Sequence, residues 1–323
     1  MNFQRFSTVL IVALLLSGCN GLAYFSPTNT PTVTAVPSTP TVTPTVAPTF
    51  TRTILTTPSL SPSATPTWVA QGPDQVKVPI LLYHHIAISP IGSRYYVPPD
   101  KFETEIKLLH DWGYTSISTK MLVVSITTGI SLPPRPVIIT FDDANEDNYS
   151  YAFPILKKYG FTGVLYVPFD YIGTNNYLTV DQIKEMAAAG WEVGSHSLSH
   201  SMDFPIMDPP SMRSEIVDSR KKLEVLLGLP ILTFAYPFGD APSAAVDYVH
   251  FAGYIAGMGA TGYTADQGTG NLFVLQRCEI KGSDDAKSMT RFLPWLGDPS
   301  FLPTSTPTST VTPSRTPRPT WTP

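Results

Sequence analysis

From Val78 onward, short apolar runs alternate with amphipathic segments that begin after a turn or cap and end at glycine, and this alternation restricts the fold more than any other feature. "PILLYH", "YTSIS", "PVIITF", "TGVLYV", "WEVGSH", "ILTFAY", "YIAGMG" and "LFVLQRCEI" read as strands. In "PPDKFETEIKLLHDWG", Phe102, Ile106 and Leu109 share a helical face, Asp100 suits the N-cap and Gly113 suits the position just past the C-terminus. "TKMLVVSITTG" is a weaker helix, and "NYSYAFPILKKYG" is helical with Pro154 as a start or kink. "TVDQIKEMAAAG", "PSMRSEIVDSRKKLEVLLG", "PSAAVDYVHFAG" and "DDAKSMTRFLPWL" complete the helices. Strand–helix alternation implies an α/β fold, a parallel sheet with helices packed outside it, and about seven or eight units favour a barrel over a small open sheet. In either geometry, polar residues at the C-terminal ends of strands gather at one mouth. His84, Asp142, Asp143, His196 and Tyr236 stand at such ends.

Composition limits the folded part. The 33 prolines of the 323-residue chain are unevenly spread: 16 of them crowd into Thr/Pro/Ser tracts from about Ser26 to Pro73 and from Pro303 to the terminus. These tracts have almost no charge and no apolar period, so they are expected to stay disordered or polyproline-like. The expected organisation is a signal in residues 1–19, a linker in 20–74, one domain in 75–302 and a tail in 303–323. Arg5, the apolar run "TVLIVALLL" and "LSGC" before Cys19 read as an export signal too short to span a bilayer comfortably. The end of that signal resembles a bacterial lipobox, which implies a lipid anchor on Cys19 and a membrane as partner, with a plain secretory signal or a retained anchor as the alternatives. Cys278, the other cysteine, reads as a small core residue, so no disulfide is expected. A net charge of −4 without a basic cluster makes nucleic acid a poor candidate partner, and the expected state is a monomer.

The chemistry is carried by "VIITFDDANED" and "GSHSLSH". One Asp after a strand usually caps a helix or makes an Asx turn, but capping does not need both Asp142 and Asp143. His196 and His200 are four apart, so a helical turn there would face both imidazoles the same way. With an aspartate from another strand end they complete a set of two histidines and one carboxylate with open positions. A divalent metal held there, zinc by default with cobalt, nickel or iron as alternatives, lowers the pKa of bound water from about 15.7 to about 7 and polarises a carbonyl. A base that does not bind the metal is also needed. The adjacent aspartate fits that part, because the cation would offset the repulsion between the two carboxylates.

"TFDD", "HSLSH" and "FAYPFG", in that order and separation, resemble the polysaccharide deacetylases of the NodB-homology type, carbohydrate esterase family 4. The resemblance runs from "VPILLYHHI" to the "LQR" at Arg277 and implies a distorted (β/α) barrel. Carried over residue by residue, it makes Asp142 the general base and Asp143, His196 and His200 the metal ligands. It also implies an N-acetylated polysaccharide as substrate. Three positions depart from the family's pattern. Ala235 stands where the family's third motif has the arginine that orients the base, with Pro237 and Phe238 in the Pro and Tyr places. Arg277 is a candidate replacement, with a structural or surface ion pair as the other reading; the Phe238 N–H can still serve an oxyanion. The late histidine that supplies the general acid is absent, and the resemblance to the extracellular poly-N-acetylglucosamine deacetylase subgroup makes His84 its replacement. His85, His110 and His250 read as structural. Ala144 stands where many relatives have glycine, a difficulty only if the backbone there is left-handed.

The function expected is metal-dependent hydrolysis of N-acetyl groups on an amino-sugar polymer such as poly-N-acetylglucosamine, peptidoglycan or chitin. A catalytically degenerate carbohydrate-binding protein and an O-acetyl or xylan esterase are the alternatives. A non-haem iron oxygenase shares the metal set, but its usual all-β scaffold does not match the strand–helix alternation. Tyr95, Tyr96, Tyr171 and Tyr177 read as loop packing.

Overall fold

The fold is that of a computed structural model, which describes residues 68–297. The expected signal, the Cys19 anchor and the tail fall outside the described residues, as does most of the expected linker. Among the described residues, no helix is long and apolar enough to cross a membrane.

Ten strands occur among the described residues: β1 (Gln75–Lys77), β2 (Ile80–Tyr83), β3 (Thr115–Ser116), β4 (Pro136–Phe141), β5 (Val164–Val167), β6 (Glu192–Ser195), β7 (Thr233–Ala235), β8 (Ala256–Met258), β9 (Asp266–Gly268) and β10 (Cys278–Glu279). The main sheet runs in the order β10-β2-β4-β5-β6-β7-β8, all parallel, with β3 also paired to β4. The last segment brings the curl round: Leu275 bridges β8 while β10 pairs with β2. Helices α1 (Pro99–Asp111), α2 (Thr119–Thr128), α3 (Phe153–Lys158), α4 (Val180–Ala188), α5 (Pro209–Arg213), α6 (Ser219–Leu227), α7 (Ser243–Phe251) and α8 (Ala286–Met289) fill the connections. The architecture is the expected α/β one, a parallel sheet curled into a distorted barrel.

Strand residues alternate between two apolar clusters, as period-two geometry requires of a sheet buried on both faces. Leu81, Tyr83, Ile139, Phe141, Leu165 and Val167 pack outward against α1, α3, α4, α6 and α7. Ile80, Ile138, Val164, Tyr166, Ala235 and Met258 face the other way, joined by β1 and α2. Each fully buried Ile or Phe contributes about 1.5–3 kcal/mol, which makes the strands rigid supports for the polar residues just beyond their C-terminal ends. Gly194 serves this inner face: a Cβ there would lie 2.4 Å from the Tyr166 ring, so only glycine lets Tyr166 cross beside β6.

Several local expectations are corrected. Asp100 sits in the first turn of α1 and Pro98 is the cap residue, followed by Pro99 at the first helical position, where proline's missing N–H costs nothing. "NYSYA" is a wider π-helical turn that passes into α3 at Phe153, accommodating Pro154, which has no N–H to give a regular ladder. "LFVLQRCEI" is paired as a strand only at Cys278–Glu279, with the single bridge at Leu275, and "DDAKSMTRFLPWL" holds only the short α8 and a 3-10 turn. Ordered pairing starts before Gln75: Val69 bridges Leu132, and the Asp74 N–H donates to the Ile126 carbonyl.

Candidate active site

Inner-face parity delivers the polar residues. Continuing the faces of Ile80 and Ile138 past the strand ends places His84 and Asp142 inward, and both line one cavity of about 240 Å³ with Asp143, His196, His200 and Arg277. Phe238, Tyr95 and Glu279 also border it.

Asp142 is 2 % exposed, and Arg277 holds it in a two-pronged grip, Nη1 donating to Oδ1 at 2.7 Å and Nη2 to Oδ2 at 2.8 Å. The Arg277 side chain is fully buried, its Nε donates to the Gly259 carbonyl at 3.0 Å, and its guanidinium lies 5.5 Å from the Tyr166 ring centre. Of the two readings that sequence left open for Arg277, the geometry is that of a buried ion pair on Asp142. Burial by itself would raise the Asp142 carboxyl, but the Arg277 charge, with His196, the Arg277 hydrogen bonds and His84, outweighs it and holds the group down at about 2.

Asp143 turns away from its neighbour because the backbone is left-handed at Asp143 (φ 73°) and again at Ala144 (φ 56°). The left-handed conformation that glycine would supply is therefore present, and Ala144 adopts it at a cost of about 1–2 kcal/mol. The turn aims Asp143 Oδ1 at two imidazoles, 3.6 Å from His196 Nε2 and 3.5 Å from His200 Nε2. That oxygen is buried and accepts no hydrogen bond. Two ligands about 2.0–2.1 Å from one tetrahedral ion stand about 3.3–3.4 Å apart, so the separations and the orphaned oxygen fit a zinc-sized cation. One ligand atom from each of the three residues lies within 4.8 Å of the others.

The histidines do not converge by a helical turn, as the four-residue spacing suggested. Residues 196–200 form an irregular bend, left-handed at Ser197 (φ 72°) and His200 (φ 52°). Glu215 pins it, accepting from the N–H groups of Leu198 and Ser199 at 2.9 Å each and from the Ser199 hydroxyl at 2.7 Å. Sequence reasoning missed Glu215, because nothing in a helical "RSEIVD" signals a partner in a distant loop. His196 Nδ1 stands 2.7 Å from the Ala235 carbonyl, so Nδ1–H donates and Nε2 is left free for a cation. Ala235 occupies the arginine place of the third motif, and its backbone orients His196.

Burial lowers His196 to about 4, against the smaller opposing effect of Asp142. An unfolded histidine titrates near 6.5, so between about pH 4 and 6.5 the unfolded chain binds more protons and stability rises with pH. The metal-free protein should therefore lose up to roughly 3 kcal/mol from this group as pH falls through that window, with no further loss from it below pH 4. Thermal unfolding of the EDTA-treated chain across pH 4–7 reads this, and His196→Gln should flatten the slope.

His84 comes directly after β2. Its ring lies 4.7 Å from that of Tyr95, and its Nδ1 is buried without a hydrogen-bond partner. The Phe238 backbone is left-handed (φ 61°) and its ring meets His200 edge-on at 4.8 Å. The hydrogen bonds of that turn come from the N–H groups of Gly239 and Asp240, not from Phe238. His85 is engaged elsewhere: its Nδ1 is 2.7 Å from Asp147, and its ring stacks on Tyr96 at 3.9 Å. Cys278 is buried and unpaired, with its thiol pushed well up by burial.

Comparison with known proteins places the chain by family and fold. The family model described as "Polysaccharide deacetylase" matches residues 129–257. YxkH of Bacillus subtilis (strain 168), named as a polysaccharide deacetylase, is 32 % identical over 204 residues, which cover 63 % of this chain and 71 % of that protein. The poly-beta-1,6-N-acetyl-D-glucosamine N-deacetylase of Staphylococcus aureus (strain MSSA476) is 30 % identical over 160 residues, 46 % of this chain and 55 % of that one. Among solved structures, the Streptococcus pyogenes deacetylase PplD in complex with acetate superimposes with a TM-score of 0.63 at 27 % identity, covering 68 % of this chain and 98 % of that chain. The family model spans Asp142, Asp143, His196, His200 and Ala235 but neither His84 nor Arg277, both of which line the same cavity. With fold, sequence relatives and the chemistry of the cavity in agreement, the chain belongs to the polysaccharide deacetylase family.

Proposed function

We propose that the protein removes N-acetyl groups from an extracellular amino-sugar polymer by metal-dependent hydrolysis. The observation that carries this reading is the pair of adjacent carboxylates in opposite environments, Asp142 clamped by Arg277 and Asp143 orphaned before two imidazoles. Asp143, His196 and His200 would hold the metal, with zinc the best fit to a set of two nitrogens and one oxygen. When bound, such a cation polarises a carbonyl oxygen and makes nearby water more acidic.

The chain's own residues do the rest. Asp142, kept ionised by Arg277, takes a proton from the attacking water. The Phe238 N–H donates to the oxyanion that develops on the acetyl oxygen. His84 gives a proton to the sugar nitrogen as the C–N bond breaks, so acetate and a free amine leave. The S. aureus relative, by its name, acts on poly-beta-1,6-N-acetyl-D-glucosamine, and we take a polymer of that class as the substrate. A polymer outside the cell agrees with the export signal read at the N-terminus, and lipid anchoring at Cys19 is part of the same proposal.

The general acid offers a test that separates N- from O-acetyl chemistry. An amine is a poor leaving group until protonated, whereas an activated aryl ester needs no such help. His84→Gln should lower acetate release from N-acetylglucosamine oligomers about 10²-fold or more while lowering aryl acetate hydrolysis far less. Equal losses on both substrates would remove His84 from the acid's place.

A further inference from the structure

Beside the metal cavity lies a second depression of about 560 Å³, within the roughly 300–1,000 Å³ of small-molecule sites. His85 and Tyr96 line both cavities, so their stacked pair is the saddle between them. The pair is fixed in place: Asp147 holds His85 Nδ1 through Oδ2 and accepts the Ile86 N–H through Oδ1 at 2.9 Å. The far wall is the stretch Asn175, Asn176 and Tyr177, joined to the turn after β4 by the Asn145–Tyr177 bridge and by the Glu146 N–H donating to the Asn176 carbonyl at 2.9 Å. Two tyrosine rings on a rigid polar frame suit the ring faces and hydroxyls of a sugar.

The charge of this depression is one-sided. Glu146 and Asp147 line it and no lysine or arginine does. Asp147 is committed to His85, Ile86 and Asn148. Glu146 uses only Oε1, which accepts from Ser150 at 2.6 Å and Gln182 at 3.4 Å; Oε2 accepts from no other described residue. Asn145 is 2 % exposed and lines the depression, and its Nδ2 makes a 3.4 Å bond to the His84 carbonyl. Its Oδ1 accepts no hydrogen bond among the described residues and is not sealed off from solvent. Two residues that line the cavity thus each keep an unused acceptor, one of them charged. An ammonium group brings three donors and a positive charge to such a pair, whereas an acetamide brings one N–H and no charge.

We propose that this depression binds the sugar adjacent to the one being deacetylated and selects a neighbour that already carries a free amine. The inference rests on the deacetylase reading above and sharpens its substrate to a partly deacetylated polymer. Hydrolysis of each N-acetyl group leaves an amine that is protonated near neutral pH, so the product of one turnover is the preferred neighbour in the next. The reaction then advances along a chain from sugars already processed.

The test measures equilibrium binding to the full chain, by calorimetry at low salt, of two β-1,6-linked glucosamine tetrasaccharides: one fully N-acetylated, one carrying a single acetyl group and three free amines. The wild-type protein should bind the amine-bearing oligomer about tenfold more tightly, a preference that shrinks as salt is raised. Glu146→Gln should bring the two affinities to within about twofold, and Tyr177→Ala should weaken both oligomers. Equal binding of the two oligomers by the wild-type protein, or an undiminished preference in Glu146→Gln, would overturn the proposal. Acetate release from the acetylated oligomer reports on the parent reading separately: if none occurs while the Glu146-dependent preference remains, the deacetylase reading falls and the amine site stands.

Discussion

Replacing Arg277 by methionine should lower acetate release about 10²–10⁴-fold and destabilise the domain by about 3–5 kcal/mol. Arg277 has a fully buried side chain and donates to both oxygens of Asp142, whose side chain is itself almost fully buried. Without the guanidinium, the burial that already opposes ionisation of Asp142 would dominate, and its pKa would rise from about 2. A group whose folded pKa is depressed lends stability above its unfolded value near 3.9, and that stability is lost as pH falls toward 2. In Arg277→Met this contribution disappears, and the acid limb of activity moves to higher pH. Lysine cannot reproduce a two-pronged grip, so Arg277→Lys should recover only part of the loss. Activity against pH for the two variants, with unfolding midpoints alongside, measures both effects; wild-type activity in Arg277→Met would show that the clamp is dispensable.

Asp142→Asn is the second large effect. The amide keeps the size of the carboxylate but cannot take a proton, and Asp143, His196 and His200 are left in place. Metal content should be unchanged while acetate release falls about 10²–10⁴-fold. Arg277 then loses half of its buried partner, so some loss of stability accompanies the change. Loss of metal together with activity would instead mean that Asp142 is itself a ligand, an alternative made concrete by the 3.7 Å between its Oδ2 and His196 Nε2.

Much of this site is written in local sequence. Alternation gives the parallel sheet, and period two sends Ile138 and Asp142 to the inner face together. The features that cannot be read locally depend on backbone conformation or on distant partners. Asp143 reaches the histidines only because residues 143 and 144 are left-handed, a conformation that "DDA" does not advertise. The same is true of Ser197 and His200, where regular helical spacing gives the right pairing for the wrong reason. Arg277 lies 135 residues from Asp142, and no spacing rule links a strand end to a guanidinium that far along the chain. The contact of Glu215 with the 198–199 bend and the second depression both involve irregular segments, whose contacts arise from the folded barrel and from no periodic pattern.

The most direct test is acetate release from N-acetylglucosamine oligomers by the full chain, measured as isolated, after EDTA treatment and after zinc is restored, with Asp142→Asn beside it at equal metal content. Release should disappear with the metal, return with it, and be about 10²–10⁴-fold lower in Asp142→Asn. Release that survives metal removal, or that Asp142→Asn sustains at the wild-type rate, would contradict a metal-dependent deacetylase with Asp142 as its base.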